Sequence, residues 1–296
     1  MLLKLLKLMT MATAVAARAV NWTMPSPASL VSPVPTLRSI LANASSQAGQ
    51  QPRAAAAAAS AAAAAASASS CSSRTSNHLF VGKPLATLAH HVKVTYRPGT
   101  GPGRHAFDAT YSDGPFPIRQ GGVVATFDAL FAKGFEWGCR GKVGGFSIGP
   151  GASNGGDHSP NGASHRLMWD AGGGAYAYVY VPSGTERRQP EPLRQHGQFG
   201  VGVFAEHFRG ALRAGAWHHV ALGLKLNTFA GSKPNADGVL LLSIDGTAHL
   251  LRNVVWRQYP NLAVEDFALA TFHGGPCEAT RVSHSEFKNL EVFAWH

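Results

Sequence analysis

Acidic residues are missing from more than the first third of this 296-residue chain: Asp108 is the first aspartate or glutamate. Residues 1–75 hold six basic side chains, Lys4, Lys7, Arg18, Arg38, Arg53 and Arg74, with nothing to balance them. The other 20 basic residues face 16 acids, so most of the formal +10 charge belongs to the N-terminal stretch. A high isoelectric point of that origin says little about nucleic acid, and the domain lacks the basic patterning of nucleic-acid modules. The small cationic surplus that remains would attract an acidic polymer.

Other absences exclude whole classes of chemistry. There is no Walker loop, no dinucleotide fingerprint and no Gly-x-Ser-x-Gly elbow, which sets aside the common nucleotide-dependent enzymes and serine hydrolases. The 14 histidines include His90-His91, His158, His218-His219 and His273, but none shows HExxH or comparable ligand spacing, so no metal and no other cofactor is expected. Paired carboxylates on one strand face, as a glycosidase needs, are lacking. No apolar run is long enough to span a bilayer, so membrane insertion is not expected. No sustained 3.6-residue stripe and no internal repeat occurs. The three cysteines allow three pairings; Cys139 and Cys277 could pair if the chain is secreted, leaving Cys71 in the tail.

What is present falls into three parts. Residues 1–20 read as a targeting segment: lysines at 4 and 7, an apolar stretch over 8–17, and Ala17-Arg18-Ala19 for cleavage. That pattern fits secretion to the extracellular space, and its acid-free, Ala/Ser-rich continuation equally suits an organelle transit peptide. Residues 21–75 are Pro-rich and then polyalanine, a disordered tail with no apolar stripe to bury. Residues 76–296 punctuate as an all-β domain, an antiparallel sandwich or jelly roll with an open cleft on one sheet. Strands are predicted over 91–96, 122–131, 166–169, 175–181, 217–226, 239–244, 267–272 and 287–293. Turn signals such as Asp113-Gly114, Asn161-Gly162 and Asp245-Gly246 separate them.

One hairpin carries most of the information. In Ala175-Tyr176-Ala177-Tyr178-Val179-Tyr180-Val181 the tyrosines alternate with small apolar residues, the period of a strand with one face on a core. Asp170 to Gly174 supplies a short, glycine-rich loop back to Ser164-His165-Arg166-Leu167-Met168-Trp169. If the arms close directly across that loop, Trp169 faces Ala175, Met168 faces Tyr176, Arg166 faces Tyr178 and Ser164 faces Tyr180. One face then presents a guanidinium, a hydroxyl and three phenols; the other presents His165, Leu167 and Trp169. An exposed tyrosine ladder can be simple surface cover. Upstream, Lys142 in Arg140-Gly141-Lys142-Val143-Gly144-Gly145 reads as a loop lysine whose flanking glycines let the backbone approach a ligand.

The ordered set Lys142, Ser164-x-Arg166 and Tyr178-x-Tyr180 resembles polysaccharide lyase family 14, which includes alginate and glucuronan lyases of algal viruses, molluscs and other organisms. Residues 131–145 resemble the family's strand and lysine-bearing loop, and 164–182 its Ser-x-Arg and Tyr-x-Tyr strands. Trp217-His218-His219, Asp237-Gly238, Ile244-Asp245-Gly246, Phe272-His273-Gly274-Gly275 and Phe287-Lys288-Asn289 follow in order, so the likeness covers about residues 92–296. The chain departs from it by having no proline after Lys142 and by a long, divergent stretch over 183–214 with Arg187-Arg188 and Arg194.

The resemblance implies β-elimination of a 1,4-linked polyuronate without a cofactor. Lys142, Arg166, Tyr178 and Tyr180 are then the expected catalytic residues, with Ser164, Tyr176, Arg140 and His273 contacting substrate. Arg166 and Lys142 suit the charge that develops on the uronate carboxylate. Tyrosines can serve as base and acid, with Lys142 sharing the base role if desolvated, because cations nearby would lower a phenol's pKa. Ser164 would hold a sugar hydroxyl or orient a tyrosine. Tyr176 could equally be cleft wall, and His273 a satisfied structural histidine. The expected partner is an acidic polysaccharide bound by a monomer. Two other readings are a lectin-like carbohydrate-binding jelly roll, in which the tyrosines stack on sugars, and a structural cell-wall or matrix protein. A neutral-sugar lectin has no need of both Lys142 and Arg166.

Overall fold

Period-two patterning builds nearly every element of the domain, and its two faces decide where the core lies. In a computed structural model of the protein the described residues are 87–88, 91–101, 104–112, 116–195 and 197–295. The expected targeting segment, the expected tail with Cys71, and the Asp113-Gly114 turn lie outside them.

Two antiparallel sheets face each other. The first contains β1 (Thr87–Leu88), β2 (Val92–Tyr96), β4 (Gly122–Phe131), β11 (Trp217–Lys225), β14 (Gly238–Ile244), β15 (Thr247–Val254) and β17 (Ser283–Trp295). Its order is β1-β17-β4-β11-β14-β15, with β2 also paired to the long β17. The second contains β3 (Phe107–Tyr111), β5 (Arg140–Ile148), β8 (Ala163–Asp170), β9 (Ala175–Tyr180), β10 (Val201–Val203) and β16 (Val264–His273), in the order β10-β9-β8-β5-β16-β3. Two small hairpins decorate them: β6 (Ser153–Asn154) with β7 (Asp157–His158), and β12 (Phe229–Ala230) with β13 (Lys233–Pro234).

The core lies between the sheets. Ala125, Phe127, Ala129 and Phe131 of β4 meet Phe146, Leu167, Trp169, Val179 and Phe267 of the second sheet. Tyr96 bolts the layers together: its hydroxyl sits 2.8 Å from Ser285 Oγ on its own sheet and 2.5 Å from Thr271 Oγ1 on the other. Burial pushes that phenol up to about 12, so it stays protonated and can serve both partners.

All eight predicted strands are present, and β4 has the predicted bounds. Besides the two-residue strands, those that sequence alone does not reveal are β3, β5, β10 and β15. Of these β5 matters most. Lys142 is its third residue rather than part of a loop, and the neighbouring glycines have packing reasons instead of ligand reasons. A Cβ on Gly141 would lie 1.8 Å from the Trp169 ring, and one on Gly145 would lie 2.0 Å from the His165 carbonyl oxygen.

Candidate active site

The cleft forms on the outer face of the six-stranded sheet, and strand parity decides which side chains reach it. The β8–β9 register pairs Ser164 with Tyr180, Arg166 with Tyr178, Met168 with Tyr176 and Trp169 with Ala175, as direct closure of the hairpin requires. Arg166 and Met168 therefore share a face with the three tyrosines, while His165, Leu167 and Trp169 enter the core.

On β5 a bulge changes the parity. Lys142 pairs with Met168 and Gly144 pairs with Leu167, which leaves Val143 as the extra residue. Val143 and Phe146 both point into the core, although three positions separate them. The shift lets Lys142 and Ser147, an odd number of residues apart, both line the cleft. A regular strand would bury one of the two.

The resulting cleft has a volume of about 960 Å³. Its floor carries Lys142, Arg166, Tyr176, Tyr178 and Tyr180, with Arg140 and Asp170 at one end and Asn154 and Phe199 at the other. Asp108, Thr110 and Asp266 line it from β3 and β16. The Tyr176 and Tyr178 rings are 6.3 Å apart and nearly perpendicular, as are those of Tyr178 and Tyr180 at 5.5 Å. The hydroxyls of Tyr178 and Tyr180 are 3.4 Å apart, and Gly156 N–H donates to the latter at 3.1 Å.

Burial dominates the electrostatics. It lowers the Lys142 ammonium to about 8; Arg166 adds to the depression and Asp108 opposes it. The ammonium sits over the Phe272 ring, 5.0 Å from its centre. Burial raises Tyr178, and its neighbour Tyr180 raises it further. Tyr176 rises to about 12, again through burial, with Arg140 pulling it back. The expectation that nearby cations would make the phenols acidic is thus reversed at Tyr176 and Tyr178. At Tyr176 desolvation outweighs the attraction to the Arg140 guanidinium, and at Tyr178 burial and the Tyr180 phenol act in the same direction.

Arg166 is itself almost wholly buried. Burial weakens its hold on its proton, and Asp266, Asp108 and Tyr180 oppose that effect in part. Nη2 donates to Ser147 Oγ at 3.3 Å. Asp266 is raised by burial and pulled back by Ser147 and Arg166. An arginine keeps its charge in such a place because its basicity is so high.

The structure does not bring two expected substrate contacts to the cleft. Ser164 has the right parity, but the β6–β7 hairpin covers it; fully buried, its hydroxyl donates to the Ser153 carbonyl at 2.8 Å. His273 follows cleft-facing Phe272 on β16 and therefore faces the core. It packs edge-on against Tyr96 and Trp169, fully buried, and burial holds its imidazole below the usual histidine range. Conversely, Asp108, Ser147, Asp266, Asn154 and Phe199 line the cleft without having been singled out by sequence. The alternation Phe107-Asp108-Ala109-Thr110-Tyr111 is the one signal that could have found Asp108.

Among the described residues no cluster of three or more His, Cys, Asp or Glu side chains could hold a metal ion. Cys139 and Cys277 form a disulfide with Cα atoms 6.0 Å apart, joining the start of β5 to the loop after β16. Gly274, Gly275 and Pro276 of that loop line the Arg140 end of the cleft.

Comparison with known proteins gives these observations a context. The sequence model of polysaccharide lyase 14 matches residues 88–290. Exolysin of Paramecium bursaria Chlorella virus 1 is 27% identical over 192 residues, 57% of this chain. The chain spans only 29% of the length of that viral relative. The crystal structure of the alginate lyase vAL-1 from Chlorella virus superposes with a TM-score of 0.65 at 27% identity, covering 73% of this chain and 90% of its own. The PL-14 alginate lyase of Aplysia kurodai gives a TM-score of 0.55 at 20% identity, covering 69% of this chain and 83% of its own. A double mutant of alginate lyase Aly36B, in complex with an alginate tetrasaccharide, gives 0.52 at 24% identity, covering 70% and 82%. The last two likenesses speak for the fold alone.

Proposed function

The chain belongs to the polysaccharide lyase 14 family, and we propose that it cleaves a 1,4-linked polyuronate, alginate or glucuronan, by β-elimination. The observation that carries this reading is a desolvated lysine, lowered to about 8, on the same cleft floor as a buried arginine and two phenols whose hydroxyls are 3.4 Å apart.

Each group then has a task suited to its state. Arg166 binds the uronate carboxylate and stabilises the enediolate charge that grows on it as C5 loses its proton. Lys142, neutral in mildly alkaline solution, takes that proton. The C5–H electron pair becomes the C4=C5 double bond, and the C4–O4 bond breaks. The Tyr178–Tyr180 pair supplies a proton to the departing oxygen, for which the upward shift of Tyr178 is an asset: an acid must still hold its proton at the working pH. The proton on Lys142 returns to the phenols, so the cycle closes with no net change. Tyr176 and Arg140 complete the wall that meets the substrate.

A module that only binds sugar gains nothing from a lysine tuned toward neutrality. The disulfide between Cys139 and Cys277 supports a place for this activity in an oxidising compartment, outside the cell. The decisive experiment incubates the protein with alginate and with glucuronan and follows ultraviolet absorbance of the conjugated unsaturated uronate, which hydrolysis cannot form. Tyr178→Phe keeps the ring and removes the proton, so polymer binding should persist while turnover falls. Wild-type protein that binds polyuronate yet never yields unsaturated product would sink the reading.

A further inference from the structure

Phe199 stands apart from the other aromatic side chains of the cleft. It is 57% exposed, whereas Tyr176 and Tyr180 are almost fully buried in the same cleft. An isolated exposed phenylalanine needs no explanation on an ordinary surface. Here it lines a concave wall, at the end remote from Arg140.

Its surroundings hold the ring on one side and leave more than half of the residue exposed. The preceding residue is fixed, since the Gln198 carbonyl lies 2.5 Å from His158 Nε2 on the β6–β7 hairpin. The ring rests against Gly156 of that hairpin, where an added Cβ would come within 3.1 Å of Phe199 Cε1. The next residues toward the catalytic floor, Gly200 and Gly202, carry no side chains. A Cβ on Gly200 would lie 2.6 Å from the Tyr180 ring, and one on Gly202 would lie 3.2 Å from Tyr176. The β10–β9 register, Gly202 on Tyr178 and Val201 on Val179, continues to set Phe199 beyond Tyr180. Between Tyr176 and Tyr180 the strand advances about 13 Å at its usual rise, so the cleft accommodates more than one sugar unit.

The two ends of the cleft therefore differ in chemistry. One offers the guanidinium of Arg140; the other offers an apolar ring beside the amide of Asn154. We propose that Phe199 forms a distal sugar subsite, stacking on the C–H face of a pyranose ring of the polysaccharide, remote from the bond that is cut. The occupant rests on the functional reading above. An apolar face suits this position because each pyranose in a uronate chain has a C–H-rich face that carries no charge, while the carboxylates point to its edges.

The consequence is length dependence. Long chains reach Phe199 and the shortest cleavable ones do not. The test compares wild type, Phe199→Ala and Phe199→Trp on intact alginate and on size-fractionated oligouronates prepared from it. Phe199→Ala should raise KM for polymer and long oligomers about five- to tenfold, the worth of one aromatic stack, with kcat unchanged. Its KM for the shortest cleavable oligomers should stay at the wild-type value, and Phe199→Trp should restore the polymer value. An equal KM increase at every length, or none on polymer, would overturn the subsite. A second readout separates this inference from the lyase reading: polymer binding by calorimetry in a Lys142→Ala background, with and without Phe199→Ala. If Phe199 strengthens polymer binding there while wild type yields no unsaturated product, the subsite stands and the lyase reading falls. If product forms and Phe199 changes binding at no length, the reverse holds.

Discussion

The two faces of the six-stranded sheet use the same strands to opposite ends. His165 and Arg166 are consecutive on β8, yet one enters the core and the other the cleft. His165 is fully buried, both ring nitrogens lack a hydrogen-bond partner, and burial together with Arg166 pushes it down to about 3. It is a neutral aromatic spacer throughout the physiological range. Lys142, on the cleft face of the next strand, is desolvated less completely and stops at about 8. Complete burial takes a base out of service, whereas partial burial tunes it to switch near working pH. Arg166 shows the third outcome, since two carboxylates and an extreme intrinsic basicity keep it charged despite its depth.

The comparison breaks most visibly at the tuned base. Lys142→Ala should lower kcat by about 10²–10⁴, with the fold intact by circular dichroism. In wild type, the depressed pKa means that Lys142 is protonated below about 8 and neutral above it. A base must be neutral, so kcat/KM should rise with pH and level off above about 8. Bound uronate brings a negative charge near the ammonium and favours the protonated form, so the limb in kcat should move upward. A profile flat across that region would remove Lys142 from the base role.

Next in size comes a change on the closed face. Trp169 is fully buried, caps Gly141, and donates its indole N–H to the Trp137 carbonyl at 2.9 Å. Trp169→Ala should cost about 3–5 kcal/mol, read as a lower midpoint of denaturant unfolding. A variant as stable as wild type would mean that the core face does not hold β5 against β8.

Much of this division was legible beforehand. Tyrosine alternation fixed the faces of β9, and the short glycine-rich loop fixed its register with β8, so the placement of Arg166, Tyr176, Tyr178 and Tyr180 followed. The bulge at Val143 was hidden, because the run Gly141-Lys142-Val143-Gly144-Gly145 reads as a loop when no side chain shows that Trp169 needs the gaps. The acids escaped for a different reason. Alternation around Asp108 marks a strand face, but Asp108 and Asp266 sit on strands that pair across more than 150 residues of sequence, and no local pattern says which strand lies alongside. Phenol titration was misjudged because desolvation depends on the walls around a ring, which a single strand cannot reveal.

The smallest expected effect tests how far parity alone can be trusted. Ser164 lies on the cleft face of β8 and keeps the spacing to Arg166 that suggests a substrate contact, yet the β6–β7 hairpin closes over it. Its hydroxyl has one observed task, donation to the Ser153 carbonyl. That bond ties the hairpin to the sheet, and the same hairpin delivers Gly156 N–H to the Tyr180 phenol. Ser164→Ala should therefore cost about 1 kcal/mol of stability and leave KM for polyuronate unchanged. Any kinetic change should fall in kcat and stay within a few-fold, because losing the tie loosens a contact to Tyr180 without removing the phenol. A tenfold rise in KM with stability untouched would contradict this and return Ser164 to the substrate, in a conformation where the hairpin has opened.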